Sequence, residues 1–269
     1  MTLANTQRLI DSQGFTLAVN VIMLEHAEAY VAAAEQMGAG LVLQLSENTV
    51  RYHGSIRPLG KALLEIAQGC SMPMAIHLDH ATDPELVREA ADIGFTSVMF
   101  DGSKLDYGQN VETTARLVAE VPNEIWFEAE LGEVGGKNGV HAPGVRTKPD
   151  EAVAFVAATN VDGLAVAVGS SHAMLEKSSV LDFELIKELA SAVDVPLVLH
   201  GSSGVSHPDL KTAIKSGIKK VNIATELNAV FNAEVARLAP QTPGDPRKFL
   251  IPARESLREH LVGLYKSLL

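Results

Sequence analysis

Short, almost continuously apolar runs alternate along the chain with longer stretches in which apolar residues recur at helical spacing. Runs such as LAVAV and PLVLH are typical of strands that are buried on both faces of a parallel sheet. Each interval between such runs has room for one helix and two loops, so we expect an α/β fold of eight βα units closed into a (β/α)₈ TIM barrel. The predicted strands lie at residues 16–21, 41–45, 74–78, 96–100, 125–129, 163–168, 195–199 and 219–223.

Helix-start and helix-stop residues mark several of the expected helices. Asp83 and Pro84 form a cap and first-turn pair before a helical pattern that ends at Gly94. After the last strand, a further C-terminal helical segment is expected over residues 245–269. The longest interval between strands holds a glycine-rich loop at 132–148, which is either a lid over a functional site or a tolerated surface insertion.

Length and charge narrow the possible functions. The chain has 269 residues, which suits one barrel domain spanning 1–269, and 46% of them are hydrophobic. Lys and Arg number 22 against 33 Asp and Glu, and the net charge of −11 argues against nucleic acid or an anionic membrane as a partner. A small anionic substrate remains compatible with this charge, because it meets only its local site.

Cysteine usage bears on the redox environment and on metal binding. Cys70 is the only cysteine, so the chain can form neither an internal disulfide framework nor a thiolate zinc cluster. The first residues lack a secretory signal pattern, and no apolar run approaches the roughly 20 residues of a membrane span. We therefore expect a cytoplasmic location, and we expect any transition metal to be held by histidines and carboxylates.

Residues suited to chemistry follow consecutive predicted strands, at the ends where barrel enzymes build their active sites. His80, His172 and His200 follow strands 3, 6 and 7. Three imidazoles on one rim predict a catalytic Zn²⁺ site with an open fourth position. Asp79 precedes His80 and is either a general acid–base group or a residue that orients a metal ligand.

Further polar residues lie on or near this rim, and their positions leave their roles more open than those of the three histidines. Asp101 and Glu130 follow strands 4 and 5, and they either hold a metal in a second position or cap helices and pair with basic residues. His77 lies inside strand 3, where it could hydrogen-bond within the barrel. Residues 200–204 and Ala224-Thr225 offer small side chains and backbone amides after strands 7 and 8, which favours a phosphate site over ordinary βα turns.

These residues carry a resemblance to a known family. The whole chain resembles the class II, metal-dependent ketose-bisphosphate aldolases, which include the fructose-1,6-bisphosphate and tagatose-1,6-bisphosphate aldolases. The matching segments are HLDH at 77–80, FDGS at 100–103, EAELGEVGG at 128–136, GSSH at 169–172, LHGSSG at 199–204 and VNIATE at 221–226, with AVNV at 18–21 and LQLSEN at 43–48.

The resemblance implies a function for each of the candidate groups. It implies that the three histidines bind Zn²⁺, that Asp79 is the general acid–base group, and that Asp101 and Glu130 serve a second position for a divalent or monovalent cation. The expected reaction is the reversible cleavage of fructose 1,6-bisphosphate to dihydroxyacetone phosphate and glyceraldehyde 3-phosphate. Tagatose 1,6-bisphosphate or another phosphorylated ketose is the alternative substrate, and a homodimer or homotetramer is the expected assembly. The implied substrate- and phosphate-binding residues are Asn20, Ser46, Ala173, Lys177, Gly201, Ser202, Ser203, Asn222, Ile223, Ala224, Thr225 and Arg247.

Two departures from the family pattern stand out. Most relatives have glycine directly after the metal histidine of strand 6, where this chain has Ala173. Many relatives also carry an acidic residue soon after the Gly-Gly pair of the loop, and that residue moves the substrate proton. Here no carboxylate follows Gly136 before Asp150, so His141 is the candidate for that proton transfer, unless the substrate differs.

Two other classes of function compete with this one. A Schiff-base aldolase needs a lysine near the carboxyl end of a strand, and Lys219 and Lys220 are placed at the start of strand 8. A non-catalytic barrel subunit or binding protein would account for the altered loop. The retention of Asp79 and of the three histidines favours an enzyme.

Overall fold

The computed structural model describes residues 3–132 and 145–269. Within these residues, parallel strands pair in chain order, and the last strand pairs with the first to close the barrel. The predicted α/β barrel is therefore confirmed. The strands are β1 (Thr16–Asn20), β2 (Leu41–Ser46), β3 (Met74–Ala81), β4 (Ser97–Phe100), β5 (Trp126–Leu131), β6 (Gly163–Val166), β7 (Leu197–Leu199) and β8 (Ile218–Ile223).

Helices surround the barrel, and α11 provides the expected C-terminal segment by packing against α2 and α10. The first helix, α1, precedes β1 and lies outside the predicted βα units. No helix in 3–132 or 145–269 is both long and apolar enough to cross a membrane. The helices are α1 (Thr6–Gln13), α2 (Leu24–Met37), α3 (Glu47–His53), α4 (Arg57–Gly69), α5 (Pro84–Ile93), α6 (Tyr107–Glu120), α7 (Pro149–Thr159), α8 (Phe183–Ala192), α9 (His207–Ser216), α10 (Thr225–Leu238) and α11 (Arg247–Leu268).

The strands β3 and β5 run further than the apolar pattern predicts. Asp79 and His80 are expected to follow strand 3, but β3 continues through them to Ala81. Its pairing with β4 shifts register between Leu78 and Ala81, and His80 adopts a left-handed φ of 52°. Glu130 likewise lies inside β5. The apolar pattern ends early in both strands because their last inward positions carry polar side chains.

The barrel interior changes character from one end to the other. At the end where the strands begin, Leu9 of α1 packs with Ala18, Val42 and Ala75. Further along the axis, the buried interior also holds charged and polar side chains, including Glu128 and Lys220. Since side chains alternate along a strand, the residues between these positions face the surrounding helices and form the main hydrophobic core. The polar interior leads directly to the rim where the strands end.

Candidate active site

The structure brings the three predicted metal-binding histidines together at this rim. His80 lies in β3, while His172 and His200 lie in the segments that follow β6 and β7. One ring nitrogen from each histidine lies within 4.8 Å of those of the other two. Nε2 of His80 is 2.8 Å from Nδ1 of His200, so these two nitrogens face the same point. The cluster has the composition of a three-histidine zinc site.

Two carboxylates lie on the far side of the His80 ring. Nδ1 of His80 is 2.9 Å from Oδ2 of Asp101 and 3.8 Å from Oε2 of Glu130. His80, Asp101 and Glu130 also form a second group whose ligand atoms lie within 4.8 Å of one another. The geometry therefore suits both a second cation position and the orientation of His80. Asp101 in addition accepts hydrogen bonds from the backbone N–H and hydroxyl of Ser103.

His200 contacts a charged pair inside the barrel. Its Nε2 lies 2.7 Å from Oε1 of Glu128, and Oε2 of Glu128 lies 2.8 Å from Nζ of Lys220. Sequence reasoning missed Glu128 and gave Lys220 no role in the metal site, because it sought metal-binding groups mainly beyond the end of each strand. The signal was present: an acidic and a basic residue stand inside runs that are otherwise apolar. Lys220 lies near the start of β8, as predicted, and its side chain is fully buried within the barrel.

Asp79 is held beside the histidines by two amide side chains. Asn20 Nδ2 donates to Oδ2 and Asn222 Nδ2 donates to Oδ1 of the carboxylate, each at 3.1 Å. Burial raises the pKa of Asp79, but electrostatic interactions with His80, His200 and Lys220 outweigh burial and hold the pKa below its ordinary value. The carboxylate is therefore ionised and oriented at neutral pH, as a base needs to be.

His77 is separate from the metal cluster found among the described residues. Its Nδ1 lies 2.6 Å from the hydroxyl of Ser97. Burial, followed by the charge of Lys220, lowers the pKa of His77 well below its ordinary value, so the ring is neutral. His77 is therefore a hydrogen-bonding residue of the barrel interior, as its place inside strand 3 predicted.

A cavity of about 170 Å³ opens beside Asp79, His80 and His172. Gln44 and Asn48 also line it, although they were not predicted as substrate contacts. Nε2 of Gln44 donates a hydrogen bond to Oδ1 of Asn20 at 2.6 Å, so Gln44 orients the amide that contacts Asp79. The predicted substrate-binding residues that line this cavity are Asn20, Ser46, Ala173, Gly201, Ser202, Ser203, Asn222, Ala224 and Thr225.

The predicted phosphate loop is built closely against its neighbours. Gly201 has a left-handed φ of 66°, and a Cβ there would lie 2.7 Å from the carbonyl carbon of Ser171, so glycine is required. The next residues form a 3₁₀ turn over Ser202–Gly204. The hydroxyl of Ser203 accepts from the backbone N–H of Glu226 at 3.2 Å, which ties this turn to the first turn of α10. Residues of both segments thus line the same cavity, where helix N-termini and backbone amides favour an anion.

Three other residues predicted to bind substrate lie outside the cavity lining. The side chain of Ile223 belongs to the hydrophobic core, because Asn222 takes the inward position next to it. Arg247 is exposed at the start of α11, and its Nε donates to Oδ1 of Asp245 at 2.9 Å. Nζ of Lys177 lies 2.5 Å from Oε2 of Glu226. The substrate contacts of these three residues stay predictions.

Glu226 has further partners on two other helices. Its Oε1 lies 2.9 Å from Nε2 of His207 and 2.8 Å from Nε2 of His260. Burial raises the pKa of Glu226. Hydrogen bonds from His260, Lys177 and His207 outweigh burial and lower that pKa to about 2. Sequence patterns gave no signal for this cluster, since its members are far apart along the chain.

The two departures noted in the sequence have different outcomes. Ala173 lies at the cavity wall next to His172 with a left-handed φ of 59°, a conformation that favours glycine. The structure thus supplies a backbone reason for the glycine expected at this position. His141 and the middle of the glycine-rich loop lie outside the described residues.

Comparison with known proteins agrees with this site. The family model described as fructose-bisphosphate aldolase class-II matches residues 10–268. The chain belongs to the class II fructose-bisphosphate aldolase family. This assignment confirms the resemblance, places the protein among the carbon–carbon lyases, and favours an enzyme over the non-catalytic alternative.

Individual members of the family are similar over nearly their whole length. The fructose-bisphosphate aldolase of Staphylococcus aureus strain Mu50 is 35% identical, with 97% of this chain and 94% of the relative covered. The fructose-bisphosphate aldolase of Staphylococcus epidermidis is 36% identical, with 96% and 93% covered. The crystal structure of the YdjI aldolase from Escherichia coli K12 superposes with a TM-score of 0.86 at 30% identity, covering 99% of this chain and 97% of that one.

Proposed function

We propose that the protein is a metal-dependent aldolase that reversibly cleaves fructose 1,6-bisphosphate into dihydroxyacetone phosphate and glyceraldehyde 3-phosphate. The observation that carries the proposal is the convergence of His80, His172 and His200, two of which line one cavity together with Asp79. Curated relatives named fructose-bisphosphate aldolase support the choice of substrate.

The donor set fits zinc. His80 and His200 direct ring nitrogens toward the same point, and the opposite nitrogen of each ring contacts a carboxylate. Carboxylate partners of this kind fix the tautomer and orientation of metal-binding histidines. A zinc ion bound there would polarise the ketose carbonyl and offset the negative charge that develops on its oxygen.

Asp79 moves the proton of the cleavage step. Its ionised carboxylate takes the proton of the C4 hydroxyl as the C3–C4 bond breaks, the C4–O bond becomes the aldehyde carbonyl, and the bonding pair passes toward C2. In the condensation direction, Asp79 returns the proton to the aldehyde oxygen. Asn20 and Asn222 hold each carboxylate oxygen, so the base meets the hydroxyl in a fixed orientation.

The backbone amides of Gly201–Ser203 and of Thr225 hold the triose phosphate. They lie on the same cavity as Asp79, and their anchoring by Ser203 and Glu226 keeps them in place before substrate arrives. A phosphate held there fixes the reacting carbons relative to the base, which is a direct contribution to rate. The cavity corner formed by α10 adds a helix N-terminus to the neutralisation of the phosphate charge.

A coupled cleavage assay with and without a chelator tests the proposed function. Fructose 1,6-bisphosphate, tagatose 1,6-bisphosphate and the corresponding monophosphates are compared at equal concentrations. We expect chelator-sensitive turnover that is highest for fructose 1,6-bisphosphate and restored by zinc. Higher turnover with tagatose 1,6-bisphosphate would change the assigned substrate, and chelator-resistant turnover would reject the metal mechanism. The second cation, the homo-oligomeric assembly and the cytoplasmic location stay predictions.

A further inference from the structure

Two fully buried charged side chains beneath the metal histidines make no contact with substrate in the mechanism above. Glu128 and Lys220 lie on β5 and β8 and form an ion pair, with Nζ 2.8 Å from Oε2 and neither side chain exposed to solvent. Elsewhere in the same interior, Met99, Ala165 and Val198 pack as an apolar cluster. The charged pair is therefore a local feature of the barrel below His200.

Stability gives little reason for such a pair. Taking a carboxylate and an ammonium out of water carries a desolvation cost that their mutual attraction offsets only with favourable geometry and further hydrogen bonds. Apolar residues of similar volume often serve a protein's stability equally well or better. A functional explanation lies in the contact that Glu128 makes with the proposed metal ligand His200.

That contact determines where the proton of the His200 ring lies. Oε1 of Glu128 is 2.7 Å from Nε2 of His200, and a carboxylate ion can only accept a hydrogen bond. Nε2 must then carry the proton, and the lone pair of the neutral ring lies on Nδ1, the atom that faces His80. Asn222 Nδ2 is also 3.3 Å from Nε2, but its hydrogen bond goes to Asp79.

We propose that Glu128 and Lys220 are positioning residues of the metal site. Glu128 fixes the orientation and the tautomer of His200 by accepting a hydrogen bond from Nε2, and Lys220 holds the Glu128 carboxylate in place through its other oxygen. The inference rests on the metal site of the proposed function. It adds that zinc affinity depends on a pair of residues that never touch the metal, one of them a lysine on the opposite side of the carboxylate.

Zinc affinity of the purified protein tests the proposal without reference to turnover. The zinc-depleted protein is titrated in competition with a chromophoric chelator. We expect the zinc Kd to rise roughly 10–100-fold in Glu128→Gln. The double variant Glu128→Gln/Lys220→Met removes both charges together, so it keeps the fold while showing the same loss of affinity.

A neighbouring carboxylate provides the matched control. Asp162 accepts a hydrogen bond from the backbone N–H of Phe127 at 2.7 Å and makes none to the histidines among the contacts described. Asp162→Asn should leave the zinc Kd within twofold of the wild-type value. A folded double variant that binds zinc as tightly as the wild type would overturn the proposal. Failure of the wild type itself to bind zinc would instead reject the proposed metal site.

The tautomer can be measured in the wild type, so the test does not depend on any variant folding. Imidazole ¹⁵N shifts and one-bond ¹H–¹⁵N couplings of the zinc-free protein are recorded, with His200 assigned by loss of its signals in His200→Asn. The proposal requires the proton on Nε2 of His200. A proton on Nδ1 would show that Glu128 does not set the ring, whatever the zinc affinities are.

Discussion

Nζ of Lys177 lies 2.5 Å from Oε2 of Glu226, so the loop after β6 is ion-paired with the first turn of α10. The other oxygen of this carboxylate, Oε1, lies within hydrogen-bond distance of Nε2 of His207 in α9 and of Nε2 of His260 in α11. The backbone N–H of Glu226 also donates a hydrogen bond to the hydroxyl of Ser203. Glu226 therefore connects the predicted phosphate loop with the loop after β6, with α9 and with α11.

Glu226 should make the stability of the protein depend on pH in the acid range. Its pKa is lowered from 4.5 to about 2 in the folded protein, so its contribution is fully present above about pH 4.5 and is lost as the pH falls toward 2. Denaturant unfolding of Glu226→Gln should show a loss on the order of 2 kcal/mol near pH 6 and a smaller loss at pH 3.

Glu234 provides the control for this prediction, because it lies on the same helix and pairs only with exposed Arg237 in the contacts described. Glu234→Gln should change the free energy of unfolding by less than about 0.5 kcal/mol. A stability loss in Glu226→Gln that is the same at pH 3 and pH 6 would contradict the ionic role of this carboxylate.

Removal of the carboxylate of Asp79 should stop proton transfer while leaving the metal site in place. Asp79→Ala retains all three histidines, so we expect its zinc content to equal that of the wild type. Turnover of fructose 1,6-bisphosphate should fall roughly 10²-fold or more. Metal analysis and steady-state kinetics on the same preparation check both statements. Near-normal turnover in a preparation free of wild-type enzyme would remove Asp79 from this role.

Ala173→Gly should stabilise the protein. Ala173 has a φ of 59°, where a Cβ carries a steric cost that glycine avoids, and this gain exceeds the extra entropy that glycine loses on folding. We expect the free energy of unfolding to rise by about 0.5–1 kcal/mol. Ala190→Gly in α8 is the matched control, since the same substitution in a helix should lower stability by a similar amount. Equal losses in both variants would contradict the argument.

His141 is predicted to move a substrate proton in place of the missing acidic residue of the glycine-rich loop. The loop follows β5, whose carboxyl end lies at the active-site rim, and the sequence between Gly136 and Asp150 lacks a carboxylate. Tritium exchange at the reactive carbon of dihydroxyacetone phosphate should fall roughly 10²-fold in His141→Ala. Asn138→Ala, in the same loop, should exchange at the wild-type rate. Unchanged exchange in His141→Ala would reject the role.

The sequence predicted the barrel and the three histidines because buried parallel strands leave a strong apolar signal and barrel sites gather at strand ends. It placed Asp79 and His80 beyond β3, and Glu130 beyond β5, because each apolar run ends before its strand does. Inside this barrel the last inward positions are polar, so the backbone pairing continues where hydrophobicity stops.

Local sequence patterns could not predict the side-chain contacts that complete the site, because the partners are far apart along the chain. Glu128 meets Lys220 across 92 positions of sequence, and Lys177 meets Glu226 across 49. Only closure of the barrel and packing of the outer helices bring such residues together. Arg247 lies away from the cavity of its own chain, and its predicted contact with the second phosphate, across a dimer interface, stays a prediction.

Buried polar side chains connect the two ends of the barrel, in addition to the strands. The hydroxyl of Thr6, in α1, donates to Ser97 at 2.9 Å, and Ser97 contacts His77 at 2.6 Å. Nε2 of His77 then lies 3.8 Å from the carboxylate of Glu128. A series of neighbouring polar side chains therefore runs from His200 through Glu128, His77 and Ser97 to Thr6 of α1. The helix that covers the strand-start end of the barrel is thus in contact, through buried polar groups, with the residues that hold His200.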